Sequence, residues 1–173
     1  EAAPAEAPAA EAAPAAPTLD TGDTSWILTS TALVLLMTIP GLALFYGGMV
    51  RKKNVLSVMM HSLSAAILVS LVWVIAGYSL AFSGSGAYIG DLSKALLNGV
   101  AFDALSGTIP ESLFVIFQMT FAIITVAIMS GSVADRMKYS AFMLFIALWV
   151  LAVYAPITHW VWAADGWLFK AGA

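Results

Sequence analysis

The segment TIPGLALFYGGMVRKKN, residues 38–54, joins an apolar run to three consecutive cations, Arg51, Lys52 and Lys53. An uninterrupted apolar run favours a helix inside a bilayer, whereas a cationic cluster favours the membrane surface on the cytoplasmic side. Pro40 lacks an amide donor and is expected to bend or interrupt the helix, and the glycines allow close helix packing. The segment therefore predicts a membrane-spanning helix that ends at the cytoplasmic face.

The composition of the whole chain also indicates a membrane protein. Of its 173 residues, 61% are hydrophobic and only 10% are charged, and the mean hydropathy is +0.93. Soluble domains rarely combine so few charges with so much apolar surface. The net charge of -3 disfavours a nucleic-acid partner, and the absence of cysteine excludes disulfides and thiolate metal or redox sites.

Four long apolar blocks follow one another along the chain, at about residues 26–50, 57–82, 111–133 and 140–162. Each block is close to the ~20 residues with which an α-helix crosses the hydrocarbon. A helix satisfies its own backbone hydrogen bonds, and no alternating pattern of a membrane barrel is present. The sequence therefore predicts an all-α membrane protein with four transmembrane helices.

The segments between these blocks predict the orientation in the membrane. The three-cation cluster separates the first two blocks, and Arg136 with Lys138 separates the last two, whereas the segment 83–110 contains one cation, Lys94. The positive-inside rule places the basic loops in the cytoplasm and the N-terminus outside. In a bacterium this membrane is the plasma (inner) membrane.

The N-terminal segment differs in composition from the rest of the chain, because residues 1–17 are only alanine, proline and glutamate. Such a segment has too little large apolar surface to offset the entropy of folding. We expect residues 1–24 to form a disordered extracytoplasmic leader and residues 25–173 to form the membrane domain. A removed signal peptide or an incomplete sequence would each explain a start at glutamate.

Three strings carry a resemblance to one family, the ammonium transporters (Amt/Mep/Rh). PGLALFYGG at 40–48, with Arg51 and Lys53-Asn54 after it, resembles the end of their first helix. FQMTFAIIT at 117–125, followed by ADR at 134–136 in which aspartate replaces the common glutamate, resembles their third helix. YAPITHWVW at 154–162 resembles their Y-x-P-x-x-H-x-V-W element. The chain thus resembles the N-terminal portion of a bacterial Amt-type transporter.

The resemblance implies roles for three aromatic residues. In the family pattern, Trp162 lines an outer site that recruits ammonium, Phe121 is an aromatic gate across the conduction path, and Phe117 shapes the vestibule. Ammonium would lose its proton, and ammonia would cross an apolar pore in each subunit of a homotrimer. The implied ligand is ammonium or ammonia, and neither a cofactor nor a metal is expected.

These residues also have ordinary structural interpretations. Phe114, Phe117 and Phe121 share one helix face, and such a stripe commonly packs against protein or lipid. Tryptophans near a membrane boundary, such as Trp160 and Trp162, commonly anchor a helix in the aromatic belt. Periodicity alone therefore leaves packing and substrate contact open.

The remaining polar residues give weaker signals. Arg51, Lys52 and Lys53 are expected to contact anionic membrane lipids, and the resemblance adds a PII-type regulatory protein as a possible partner. His61 and His159 could exchange protons, but we expect structural roles for both. The two histidines, together with Asp135 and Asp165, are predicted to be dispersed over both faces of the membrane, so they do not predict a metal site.

The sequence is also compatible with functions other than transport. The family has about eleven membrane helices, and its D-F-A-G-G element and pore histidines follow the fourth, so we expect these four helices alone not to conduct. An ammonium-sensing membrane module coupled to a signalling domain is one alternative, and a non-conducting four-helix scaffold is another. An enzyme is not expected, since no G-x-S-x-G elbow, H-E-x-x-H pair or phosphate loop occurs.

Overall fold

The computed structural model describes residues 18–133 and 136–172. These residues contain four helices long and apolar enough to cross a membrane. The first three are α1 (Thr21–Met49), α2 (Lys52–Phe82) and α3 (Glu111–Val133). The fourth, α4, runs from Tyr139 to Trp162 and is followed by a short helix, α5 (Trp167–Lys170). The predicted all-α membrane architecture is confirmed. Residues 1–17 of the predicted leader, and the aspartate of the ADR string, lie outside the described residues.

Helix α1 begins at Thr21, inside the segment 1–24 that was expected to be a leader. The Asp20 carboxylate caps this end, because it accepts a hydrogen bond from the Asp23 amide at 2.9 Å. A carboxylate at this position satisfies an amide that has no partner within the helix and also offsets the helix dipole. The polar residues after Asp20 therefore belong to the first turns of a helix.

Three of the membrane helices contain a π-helical segment. These segments are Met37–Leu42 in α1, Trp73–Gly77 in α2 and Val150–Tyr154 in α4. In α1 the wide turn accommodates Pro40, so the helix continues to Met49 instead of being interrupted there. In α2 the absence of a side chain at Gly77 leaves room for the Trp73 ring, since a Cβ would lie 2.9 Å from Trp73 Cε3.

The core lies between α2, α3 and α4 and is centred on Trp73, which is fully buried. The Trp73 indole N–H donates to the Val115 carbonyl oxygen at 3.2 Å. Its ring makes edge contacts with Tyr78, Phe82 and Tyr154, at centroid distances of 6.2, 6.4 and 6.1 Å. A buried indole that donates a hydrogen bond and contacts three rings fixes the relative positions of these helices.

Helices α1 and α3 approach closely at Gly131. A Cβ built on this glycine would lie 2.6 Å from Cζ and 2.7 Å from Cδ1 of Tyr46, well inside van der Waals contact. The Tyr46 hydroxyl donates to the Ile128 carbonyl oxygen at 3.1 Å. A small residue in one membrane helix thus admits an aromatic side chain from another.

The connection between α2 and α3 contains a short antiparallel hairpin of β1, Leu105–Ser106, and β2, Ile109–Pro110. Leu105 pairs with Pro110 and Ser106 with Ile109. Gly107 has φ of +62° in the two-residue turn, a conformation that favours glycine. The Asp20 amide donates to the Thr108 carbonyl at 2.9 Å, so the hairpin contacts the start of α1. We call this side of the bundle the loop end and the side with Arg51–Lys53 the basic end.

Asp91 fastens the same connection to the end of α2. Its carboxylate accepts hydrogen bonds from the Ser93 hydroxyl at 2.6 Å, the Ser93 amide at 2.9 Å and the Ser83 hydroxyl at 2.8 Å. These bonds, those from Ser93 foremost, hold the pKa of the Asp91 carboxyl below its ordinary value, because they stabilise the charged form. The connection is therefore tied to the bundle by polar contacts.

Candidate functional site

Phe117, Phe121 and Trp162 form one aromatic cluster at the loop end. Phe117 and Phe121 lie one turn apart on α3, with ring centroids at 5.0 Å and planes at 83°. Trp162 is the last residue of α4, and its ring meets Phe121 at 6.0 Å and 76°. Edge-to-face contacts of this kind are favourable for aromatic rings. The structure thus brings together the three aromatic residues singled out in the sequence.

Trp162 is unlike a packed core residue, since 47% of its surface is exposed. It lines two cavities of opposite character. We call one the polar cavity, of about 330 Å³, whose walls include Lys94, Glu111 and Asp165. We call the other the apolar cavity, of about 300 Å³, lined by Thr125, Trp149, Tyr154, Ile157, Thr158, Val161 and Trp162. The indole therefore lies at the boundary between a charged space and a mainly apolar one.

An ion pair between a half-buried lysine and a buried glutamate forms one wall of the polar cavity. The Lys94 ammonium group contacts the Glu111 carboxylate, and the Tyr78 hydroxyl donates to the same carboxylate oxygen at 2.8 Å. Glu111 opens α3 and is only 7% exposed. A carboxylate at a helix N-terminus is favoured by the helix dipole, and burial is tolerated because a cation and a hydroxyl pair with it.

Lys94 and Glu111 are not among the site residues predicted from the sequence, although the sequence contains a signal for them. Lys94 is the single cation between residues 83 and 110, and Glu111 is the acidic residue that opens the third apolar block. Two opposite charges that flank a membrane block on one side of the bilayer are candidates for a pair. The two residues are 17 positions apart, and this separation corresponds to no local pattern. Their pairing could therefore be recognised only in the folded structure.

Gln118 and His159 are buried polar residues with different surroundings. The Gln118 Oε1 atom is buried and, among the described residues, has no hydrogen-bond partner. His159 is buried, and its two ring nitrogens lie 2.9 and 2.6 Å from the Ala81 and Gly86 carbonyl oxygens at the loop end. His159 therefore joins α4 to the end of α2 and the connection after it.

His61 lies on α2 away from the cluster, with Nδ1 2.6 Å from the Ser57 carbonyl oxygen of its own helix. Its ring contacts Tyr139 and Phe142 of α4 at centroid distances of 5.3 and 5.5 Å. Over residues 18–133 and 136–172, no group of three or more histidine or carboxylate side chains could hold a metal ion.

Arg51, Lys52 and Lys53 are not part of the aromatic site. They are exposed and follow the end of α1. The 29 residues of α1 separate them from the loop end, a length of about 40 Å for a continuous helix. The basic cluster and the aromatic cluster therefore lie at opposite ends of the bundle.

Comparisons with known proteins identify the family and the fold of the chain. The model of the Ammonium Transporter Family matches residues 25–173. An ammonium transporter of Bacillus subtilis (strain 168) is 54% identical over 157 residues, which are 90% of this chain and 38% of that protein. The crystal structure of Candida albicans Mep2 has a TM-score of 0.81 at 37% identity and covers 89% of this chain and 34% of its own.

A structure named Sensor Amt Protein has a TM-score of 0.76 at 26% identity, over 86% of this chain and 37% of its own. The chain thus spans less than two fifths of the length of each of these proteins. The four apolar helices are those of an integral membrane protein, and the family is named for transport and not for an enzymatic reaction. Because the family model matches nearly all of its described residues, the chain belongs to the Ammonium Transporter Family.

Proposed function

We propose that the chain forms the outer ammonium-recruiting part of a transporter that conducts ammonia. The observation that carries this proposal is the position of Trp162, half exposed between the polar and the apolar cavity and in edge contact with Phe121. An indole face attracts a cation through its quadrupole, with about 0.5 to 2 kcal/mol depending on desolvation. Trp162 recruits the ion, Phe121 gates the path inward, and Phe117 shapes the approach.

The energetics favour passage as neutral ammonia. A charge at the centre of a bilayer costs at least ~2.5 kcal/mol, more than one cation–π contact supplies. An ammonium ion that reaches Trp162 is therefore stabilised there but would be destabilised farther along an apolar path. Transfer of one proton from ammonium to water in the polar cavity leaves neutral ammonia, which crosses the apolar space at a lower cost. Neither His61 nor His159 is assigned as the proton acceptor, because each is held by carbonyl contacts of its own.

The proposed orientation places the loop end outside and the basic end in the cytoplasm of a bacterium, in its plasma membrane. The exposed Arg51, Lys52 and Lys53 support this orientation through the positive-inside rule. They are proposed to contact anionic lipid headgroups or a PII-type regulatory protein. By family resemblance the transporter is a homotrimer, and we expect the four helices alone not to conduct.

The experiment compares uptake of radiolabelled methylammonium by cells that carry the natural protein and its Trp162→Leu and Phe121→Ala variants. Loss of the cation–π contact in W162L should raise the apparent KM by about 2- to 30-fold, the equivalent of 0.5 to 2 kcal/mol. F121A should change the maximal rate. The matched control is Trp167→Leu, a similarly exposed indole at 43% that belongs to neither cavity and should leave uptake unchanged. Equal uptake by wild type and W162L would refute the proposed role.

A second function, ammonium sensing, is favoured by one observation, the similarity to the structure named Sensor Amt Protein. A sensor could use the same aromatic site to detect ammonium without moving it. Uptake distinguishes the two functions. Tight, Trp162-dependent binding of methylammonium with no uptake would support the sensor, whereas saturable uptake supports the transporter.

A further inference from the structure

The polar cavity beside Trp162 contains two carboxylates, and each is paired with a lysine of the same chain. Glu111 is paired with Lys94, and Asp165 is paired with Lys170 at 2.9 Å. A cavity that recruits a cation by an aromatic ring would be expected to leave its carboxylates available, because opposite charges attract more strongly than a quadrupole does. In this cavity, lysines of the same chain already neutralise both carboxylates.

The two pairs differ in their exposure to water. The Lys94 and Glu111 side chains are 33% and 9% exposed, whereas the Lys170 and Asp165 side chains are 58% and 44% exposed. Exposed pairs are screened by water and salt and exert little influence, while a buried carboxylate retains a strong field. Glu111 is therefore the carboxylate whose charge matters to a cation inside the cavity.

The surroundings of the Lys94 ammonium group suit an alkylammonium ion in general. Its nitrogen contacts the Glu111 carboxylate and lies 6.0 Å from the centroid of the Tyr78 ring, within range of a cation–π contact. A carboxylate and an aromatic face are two kinds of group that stabilise a primary ammonium ion. The cavity thus has a complete cation position, and a side chain of the protein fills it.

We infer that Lys94 sets the affinity of the polar cavity, because its tethered ammonium group occupies a latent cation site at Glu111 and leaves Trp162 as the position for free ammonium. An ion bound to a buried carboxylate would leave slowly, which would limit turnover. A tethered ion prevents such trapping and keeps recruitment weak and reversible. This inference rests on the proposed function of Trp162.

The test is uptake of radiolabelled methylammonium by cells that carry the natural protein, with three variants. Lys94→Met frees the Glu111 carboxylate for the probe, so the apparent KM should fall about threefold or more while the maximal rate falls. Glu111→Gln leaves Lys94 unpaired in the cavity, where its charge repels the probe, so the apparent KM should rise about threefold or more. The double variant removes both charges and should return the KM close to that of wild type.

The matched control is Lys170→Met, which removes a lysine from the exposed pair and should leave the KM unchanged. A merely structural ion pair predicts a different pattern, since either single variant would then lower the amount of folded protein without opposite shifts in KM. Shifts of K94M and E111Q in the same direction, or no shift in either, would overturn the inference. If K94M does not fold, E111Q decides, because an unchanged or lower KM contradicts the repulsion by Lys94.

The failure of this inference can be told apart from the failure of the proposed function. If wild type takes up methylammonium and W162L weakens that uptake, the proposed function stands whatever Lys94 does. If wild type shows no uptake, equilibrium binding of radiolabelled methylammonium to the purified protein gives the same comparison. There K94M should bind more tightly than wild type, and equal binding would overturn the inference.

Discussion

Replacing Gly131 with alanine tests the close approach of α1 and α3. The new Cβ would lie 2.6 Å from Cζ of Tyr46, whereas carbon atoms in favourable contact are ~3.5 to 4 Å apart. The ring must therefore move by about 1 Å or more, the shortfall from that contact distance. Such a shift also stretches the hydrogen bond from the Tyr46 hydroxyl to Ile128, which is already 3.1 Å long.

The expected cost follows from three contributions. Overpacking costs about 1 to 3 kcal/mol, and loss of an interhelical hydrogen bond in a membrane costs about 0.6 kcal/mol. Alanine in place of glycine inside a helix gains about 0.5 to 1 kcal/mol. Gly131→Ala should therefore lower the free energy of unfolding by about 1 to 3 kcal/mol.

Gly48 provides the matched control, because it lies on α1 within a helical turn and a Cβ there would meet nothing within 4 Å. Gly48→Ala should be neutral or stabilising by up to about 1 kcal/mol. The assay is unfolding of the purified natural protein by SDS in mixed micelles, followed by tryptophan fluorescence. In a Tyr46→Leu background the alanine at 131 should cost little, since the opposing ring is gone. Equal stability of G131A and G48A would refute the reasoning.

Three further predictions concern contacts at the loop end and use the same unfolding assay. The pKa of the Asp91 carboxyl is lowered by folding, so its stabilisation is present above its ordinary value of 3.8 and is lost as the pH falls through the lower folded value. The stability advantage of wild type over Asp91→Asn should thus be present at pH 6 and disappear at low pH, and a constant difference would contradict it. Asp20→Ala should cost about 1 kcal/mol by removing the cap of α1, and Asp20→Asn should cost little. His159→Phe leaves the buried Ala81 carbonyl without its partner and should cost about 1 to 3 kcal/mol. The variant should also show faster proteolysis of the 83–110 connection than the control His61→Phe. Equal proteolysis of both variants would count against the role of His159 in holding this connection.

The membrane helices could be predicted from the sequence because the bilayer demands long apolar runs with internally satisfied backbones. The third helix has the predicted bounds, 111–133. The first helix begins before the predicted position because a capping aspartate extends it into polar residues. Hydropathy detects the hydrocarbon span and not the helical turns beyond it.

The residues of the aromatic cluster could be named from the family resemblance, and their arrangement could be predicted only in part. Periodicity placed Phe117 and Phe121 on one face of α3, but their contact with Trp162 joins two helices and depends on the fold. The partner of Glu111 had no local signal, and neither had the contact between Tyr46 and Gly131. Long-range pairs of single side chains leave no periodic trace in one sequence.

The π-helical segment Trp73–Gly77 makes the number of residues in α2 a structural constraint. An α-helix advances about 100° per residue, and a π turn commonly corresponds to one additional residue within an otherwise α-helical path. Deletion of a single residue within this turn would restore regular winding and leave Tyr78 near its present direction, whereas a deletion in the α-helical part Val55–Val72 would rotate Tyr78 by about 100° relative to the start of the helix. The π turn therefore determines where along α2 a residue can be gained or lost without separating the Tyr78 hydroxyl from the Glu111 carboxylate.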